Sequence, residues 1–423
     1  MFALHALRRS AARRLEMAPE NADYWSMTNI IDASHFYDVA VIGGGPTGLT
    51  AAIALASADA RVVLVARRTP YADNRTTALL GGSVDLLDRL DVWPRCAAYS
   101  APLEVMRLVD DTKRLIRAPE VKFSALEIGR DAFGHNIENR ILVEALEARA
   151  AELPNLTRID SDADSVAPND ENVVVTTPAG DIIHANLVVG ADGRHSLCRD
   201  AAGIAVTQRP LPQSALTFTL THSRPHKSVS TEFHTAEGPC VFVPLPGDRS
   251  SVVWVASPKE AERLMALDDA ALSAAAEAQS HHVLGKMCVE LGRHLFPLSI
   301  ERPQAFARNR VALIGEAAHV LPPIGAQGLN MGLRDASDLA GIVASSLSSG
   351  EDVGAPEAMA RYARARHGDI VSRTTVIDIA NRSLLSDLLP MQVARAVGLQ
   401  VIDAIGPLKR LAMREGLAPS WRS

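Results

Sequence analysis

The tightest constraint on this chain is a short apolar strand that runs straight into a glycine turn. Asp38–Ile42 (DVAVI) is apolar and rich in branched residues, and Gly43-Gly44-Gly45-Pro46-Thr47-Gly48 follows at once. Thr47–Ala58 is small, apolar and helix-compatible, and Arg61–Val65 (RVVLV) reads as a second strand. Strand, turn, helix and strand make a βαβ unit, and GxGxxG in that context is a dinucleotide fingerprint. Gly43 permits the tight turn, Gly45 leaves room for a pyrophosphate, and Gly48 lets the helix close on the strand. The helix end entered through Pro46 and Thr47 offers free N–H groups and positive dipole to phosphate. The uncharged run Val39–Ala58 is nearly long enough to span a bilayer, but its glycines and proline lie mid-run and make it strand, turn and helix. One part of the fingerprint is missing. An acid is expected at the end of the second strand to hold ribose hydroxyls, and this chain has Val65-Ala66-Arg67 there. Either Arg67, a backbone group or another segment must take that contact.

Composition narrows the remainder. The chain has 423 residues, enough for two to four domains at roughly 100–200 residues each. Its net charge of -6 carries no basic footprint, so nucleic acid is not an expected partner. The four cysteines, Cys96, Cys198, Cys240 and Cys288, form no CxxC pair. That argues against a disulfide framework or zinc ribbon and fits a reducing, cytoplasmic setting. No GxSxG elbow, P-loop or HExxH occurs, and His281, His282 and His294 lack carboxylates at ligand spacing, so no metal site is expected. Residues 1–36 read as a disordered N-terminal extension or an upstream start-codon choice. Arg8, Arg9, Arg13 and Arg14 resemble a presequence, but Glu16 and Glu20 soon follow.

Ser83–Leu90 and Glu138–Leu153 have helical spacing, and Val105–Ala118 reads as a hairpin. Strands are expected at Leu156–Asp160, Val173–Thr177, Asp181–Ala185 and Leu187–Gly190. From about Ser214 to Ile300, apolar and alternating runs broken by Pro, Gly and Ser predict an antiparallel sheet. Within that stretch Glu260–Ala278 and His281–His294 look helical. Arg310–Ile314 returns to a buried strand, and beyond Pro356 the chain is mostly helical.

Two further motifs follow strands. One is Gly190-Ala191-Asp192-Gly193-Arg194-His195-Ser196. The other starts at Gly315-Glu316-Ala317-Ala318-His319 and runs through Pro322-Pro323-Ile324-Gly325-Ala326-Gln327-Gly328-Leu329-Asn330 to Asp335. Together with the first, this set resembles the class A FAD-dependent aromatic hydroxylases, from about residue 37 to 415. Within that class the chain is most similar to the ubiquinone-biosynthesis hydroxylase family. Arg75–Leu79 (RTTAL), Ala191–Ser196 (ADGRHS) and Gln327–Asp335 (QGLNMGLRD) carry the match, with Arg395–Leu399 and Pro407–Arg410 adding to it.

The resemblance implies an α/β fold: a Rossmann-like FAD-binding domain, an inserted antiparallel β-sheet substrate domain and a helical C-terminus. The corresponding boundaries are 37–210 and 306–350 for the FAD-binding domain, with some substrate-domain strands near 100–125. The substrate domain covers 211–305 and the C-terminal helices 351–423. It implies FAD as cofactor, NAD(P)H as co-substrate, and ring hydroxylation through a flavin C4a-hydroperoxide. The substrate implied is a small aromatic ubiquinone precursor bearing a polyprenyl tail. A hydroxylase of a small soluble phenol, or a non-catalytic flavin-binding subunit of a biosynthetic complex, are the alternatives.

Residue by residue, the resemblance places Pro323 beside the reacting flavin carbon and Arg75 at the FAD pyrophosphate. It places Arg140 beside the flavin and Asp192 near the FAD and nicotinamide phosphates. Glu316, where the family has Asp, is implied to hold the ribityl chain. Small residues such as Gly325 and Gly328 let backbone approach a flat ring. The N–H groups of Leu329 and Asn330 would open a helix whose positive end favours a reduced, negatively charged flavin. His319 in its apolar turn reads as a structural histidine. Residues 384–415 are apolar with interspersed cations. They read either as helices packed on the core or as a peripheral contact with the inner membrane or a partner protein.

Overall fold

The computed structural model describes residues 36–68, 75–112, 114, 117–385 and 389–417. The extension expected before residue 37 falls outside them, apart from Phe36. The glycine turn sits where the sequence puts it, between β1 (Phe36–Ile42) and α1 (Pro46–Ala56). β2 (Val62–Val65) lies parallel to β1, with Val39 opposite Val62 and Ile42 opposite Val65. All four β2 residues and the last four of β1 are buried. A parallel sheet is covered on both faces, which is why these runs are continuously apolar rather than alternating.

β3 (Thr76–Leu80), α2 (Gly81–Arg89), α3 (Trp93–Cys96) and β4 (Ala101–Pro102) come next. β5 (Val105–Asp110) and β6 (Val121–Ser124) pair antiparallel, Val105 opposite Ser124. The hairpin expected over 105–118 is therefore wider, and its return strand starts only at Val121. Asp110 holds the turn by accepting from the N–H groups of Thr112 and Ala118. β7 (Gly134–Glu138) pairs with both β3 and β4 in a small sheet that was not expected.

α4 (Asn139–Ala150) leads to β8 (Leu156–Ile159), parallel to β2. β9 (Ser165–Pro168) and β10 (Val173–Thr176) form an antiparallel ladder with the first half of β11 (Ile182–Gly190). The two strands expected over 181–190 are thus one. The short α5 (Leu197–Ala201) follows the Asp-Gly turn.

The second sheet holds β12 (Val206–His222), β13 (Val229–His234), β14 (Pro239–Leu245), β15 (Arg249–Ala256) and β16 (Met287–Pro303). Its order is β16-β12-β15-β14-β13-β5-β6. Every pair is antiparallel except β13 with β5, which is parallel, so the sheet is mixed. One face packs Leu216, Phe218, Phe242 and Trp254 against α6 (Pro258–Met265) and α7 (Asp269–Gln279).

The helix expected over 281–294 is absent. His281 and His282 take left-handed φ of 50° and 55°, and the chain turns and enters β16 at Met287. Two α7 side chains seat the new strand: Glu277 accepts from Met287 N–H and Ser273 from Val289 N–H. Pairing with β12 overrode the helical look of the stretch.

β17 (Ala307–Arg308) and β18 (Val311–Leu313) bring the chain back, β18 running parallel to β11. The large sheet is ordered β17-β18-β11-β1-β2-β8. α8 (Gln327–Ser348) packs on α1 and on α9 (Pro356–Leu385), and α10 (Leu389–Ala404) and α11 (Gly406–Leu417) complete the described chain. Among the described residues, no helix is long and apolar enough to cross a membrane.

Candidate active site

The three glycine-bearing motifs converge because each approaches the next too closely for a side chain between them. Gly43, at φ 112°, lies so close to the Asp-Gly turn that a Cβ there would meet the Ala191 carbonyl oxygen at 2.3 Å. A Cβ on Gly48 would meet the Gly43 carbonyl oxygen at 2.0 Å. From the third motif, Gly332 approaches Thr47, whose Oγ1 would be 2.5 Å from an added Cβ. Only glycine permits these approaches, and they bring the ends of β1, β11 and β18 to one place.

A cavity of about 400 Å³ opens there. Of the residues singled out from the sequence, Gly45, Pro46, Thr47 and Arg75 line one part of it. Glu316, Pro323, Gly328 and Leu329 line another. A Cβ on Gly45 or Gly328 would meet nothing within 4 Å, so both face open space. Two helix N-termini converge on the cavity: that of α1, with Pro46 in its first turn, and that of α8. Before α8 the backbone passes through two left-handed residues, Gly325 at φ 63° and Ala326 at φ 55°. Ala326 pays for that conformation, a kind of strain that collects at functional turns. Pro323 centres a tight turn in which Ile324 N–H donates to the Pro322 carbonyl at 2.8 Å.

The other sequence candidates stand outside the lining. Asn330 is buried, and its amide bridges the start of α8 to β3. It accepts from Leu80 N–H at 2.8 Å and donates to the Ala78 and Ala326 carbonyls. Asp192 spends both carboxylate oxygens on α5, accepting from Ser196 Oγ at 2.6 Å and from Cys198 N–H at 3.0 Å. Its neighbours Ala191 and Gly193 line the cavity instead. Arg140 is 48% exposed and pairs with Glu144 at 3.0 Å, while the preceding Asn139 lines the cavity. Arg67 is exposed and ion-paired with Asp162. At the end of β2, Arg158 donates to the Ala66 carbonyl, and Asp160 accepts from Arg68 N–H.

Several lining residues were missed by the sequence reading. Thr76, Thr77 and Asn139 supply polar groups, with Thr77 donating to Asn139 at 2.5 Å. Across from them, Thr217, Ser251, Val253 and Phe296 project from the seven-stranded sheet. Thr76 and Thr77 lay within the RTTAL segment, which was the available signal. The sheet residues carried none, since alternation fixes two faces without saying which one meets a cavity.

Behind the third motif lies a buried ionic cluster. Asp335 accepts from Gly315 N–H at 2.9 Å, from His319 at 2.7 Å and from Arg366 Nε at 2.5 Å. Arg366, fully buried on α9, also reaches Asp338 and Asp369. Asp369 pairs in turn with Arg334 and Arg373, and Arg373 donates to Gln327 at the start of α8. Burial alone would raise the Asp335 pKa, but Arg366 and His319 outweigh it and hold the carboxyl down to about 2. The cluster therefore fixes, from one helix, both the Gly315 turn and the N-terminus of α8. A second tie runs from the Asp-Gly motif: Arg194 pairs with Glu301 on β16 at 2.5 Å, and Glu301 exchanges two backbone hydrogen bonds with Val320.

The cavity suits an extended dinucleotide, with one helix end for a diphosphate and another for the edge of a flat ring. Among the described residues no group of His, Cys, Asp and Glu could hold a metal ion.

Comparison with known proteins agrees with this geometry. The family described as an FAD binding domain matches residues 36–372. Ubiquinone hydroxylase UbiL of Rhodospirillum rubrum is 32% identical over 387 residues, covering 90% of this chain and 89% of the relative. The 3-demethoxyubiquinol 3-hydroxylase of Escherichia coli is 29% identical over 394 residues, covering 90% and 98%. Among solved structures, p-nitrophenol 4-monooxygenase PnpA of Pseudomonas putida shares the fold, with a TM-score of 0.73 at 19% identity over 90% of this chain and 98% of that one. A glycine cradle between two helix ends and a facing sheet, matched along nine-tenths of the chain, has one reading: the protein belongs to the FAD-dependent aromatic monooxygenases, in the ubiquinone-biosynthesis hydroxylase family.

Proposed function

We propose that this chain hydroxylates the aromatic ring of a ubiquinone precursor that carries a polyprenyl tail. The observation that carries the reading is the single cavity shared by the glycine motifs on one side and the Thr217–Phe296 sheet face on the other. FAD, when bound there, supplies hydride acceptance from NAD(P)H and activation of O₂.

The chain's own residues do the rest. The N–H groups at the start of α1, with Arg75 beside them, suit the diphosphate. Glu316, exposed on the cavity side of its turn, suits a polyol chain through its carboxylate. Gly328 and Leu329 present the positive end of α8 to the side of the ring where negative charge accumulates. Pro323, in the same lining, would stand at the reacting edge of the flavin. Val253 and Phe296 give an aromatic substrate an apolar wall and keep water from the reacting atoms.

An exposed apolar row supports a peripheral contact with lipid, where a polyprenyl tail would reside. Val393, Val397 and Val401 lie four residues apart along α10, and Ile405, Leu408 and Leu411 beyond its end are exposed as well.

The test uses purified holoprotein with a demethoxy-quinol precursor in prenylated and tail-less forms. Faster NAD(P)H oxidation and a hydroxylated product, favouring the prenylated form, are expected. Equal turnover of both forms would remove the tail from the proposal. NAD(P)H oxidation indifferent to either would remove the ring hydroxylation.

A further inference from the structure

The cavity-facing side of the seven-stranded sheet changes character from rung to rung. At one end it is ionic and satisfied. Arg249 on β15 pairs with Glu290 on β16 at 2.7 Å and with Glu138 at 3.0 Å, and Thr219 on β12 donates to Glu290 at 2.9 Å. At the other end it is apolar, with Ala215, Val255 and Leu298 buried and Phe296 packed against them.

Between these ends lies the rung Val253–Thr217–His294, set by the pairings of Thr217 with Val253 and with His294. Here Thr217 Oγ1 and His294 Nε2 are both buried, and neither has a hydrogen-bond partner among the described residues. Residues directly opposite across a ladder present their side chains to the same face within reach of one another. Thr217 lines the cavity, as do Val253 and Phe296. Ser251 lines it too, but its hydroxyl is already engaged by Thr76 and Asn136. Buried polar atoms are ordinarily satisfied, so two unsatisfied ones on adjoining strands, Thr217 on the cavity lining and His294 just outside it, call for a partner.

We propose that Thr217 and His294 form the polar end of a ring subsite and recognise a hydroxyl on the substrate's aromatic ring. The ring lies on Val253 and Phe296. A turn of the Thr217 side chain to another staggered rotamer about Cα–Cβ re-aims its hydroxyl toward the cavity, where it donates to the ring oxygen. His294, beside the lining, accepts from the ring O–H at Nε2 once its imidazole turns toward the cavity. A ring lacking a free hydroxyl at that position satisfies neither protein atom fully and is disfavoured. The inference rests on the aromatic-substrate reading above and adds the residues that select among rings.

Holoprotein is titrated with 2-prenylphenol and with its methyl ether, 2-prenylanisole, by calorimetry and by the change in bound-flavin absorbance. In the unaltered protein the phenol binds about tenfold more tightly than the ether. Thr217→Val and His294→Phe each remove about tenfold from phenol binding while leaving the ether where it was, which abolishes the preference. Flavin content and unfolding temperature are recorded for each variant. If His294→Phe does not hold flavin, Thr217→Val, which keeps its shape, decides. An undiminished preference in Thr217→Val overturns the subsite. Binding of neither probe by the unaltered protein overturns the aromatic-substrate reading itself.

Discussion

At Gly48 one carbon decides whether the cradle closes. An added Cβ would sit 2.0 Å from the Gly43 carbonyl oxygen and 3.1 Å from Ala191 Cβ, with backbone on one side that cannot swing away. Gly48→Ala should therefore cost about 1–3 kcal/mol or more and strip the protein of flavin, read as absorbance per protein after purification. Gly82, itself exposed in the first turn of α2 with nothing within 4 Å, is the contrast. Gly82→Ala should hold flavin normally and gain about 0.5–1 kcal/mol from helix propensity. Asp335 shows the same locality in charge. Its pKa lies below the ordinary 3.8, so the stability it contributes is present at neutral pH and lost as pH falls through about 2. Asp335→Asn should lower the unfolding temperature at neutral pH, and the gap between the two proteins should narrow as pH drops below about 4. A gap that stays constant over that range would show the carboxylate charge to be irrelevant.

Among the elements, α9 acts as a brace for the cavity although it lines none of it. Arg366 reaches Asp335, Asp338 and Asp369 at once, and Arg373 reaches Gln327. Removing one partner of a buried pair leaves an uncompensated charge and costs about 3–5 kcal/mol. Arg366→Met should release flavin at lower temperature than the unaltered protein, and Arg366→Lys should not restore it, because an ammonium cannot replace a fork serving three carboxylates. Added FAD should raise the unfolding temperature less in both variants. None of this bracing was legible in the sequence, where an arginine on a helix reads as a surface residue. The glycine turns were legible because their constraint is local: a φ of 112° at Gly43 and backbone contact at Gly48 depend on residues near at hand. Arg140 and Asn139 show where locality ends. They are adjacent at the start of α4, yet one faces solvent and the other the cavity, a difference of one helical step set by packing. The stretch 281–294 was misread because spacing alone does not register the strand waiting to pair with it.

On the scale of the whole molecule, the apolar row from Val393 to Leu411 is the least expected surface feature. Val397→Glu with Val401→Glu replaces two exposed side chains and should leave folding untouched. The unaltered protein should co-sediment with vesicles of phosphatidylcholine and phosphatidylglycerol, and the double variant should not. Unaltered protein that stays in the supernatant would dismiss lipid as the occupant of that row. The parallel pairing of β5 with β13 has a different consequence. The chain lays down one edge of its second sheet early, returns to finish the large sheet as far as β11, and completes the second sheet a hundred residues later. Neither half can be excised as a continuous piece without tearing a ladder, so a gene fusion or truncation that respects only linear boundaries will inherit an open edge.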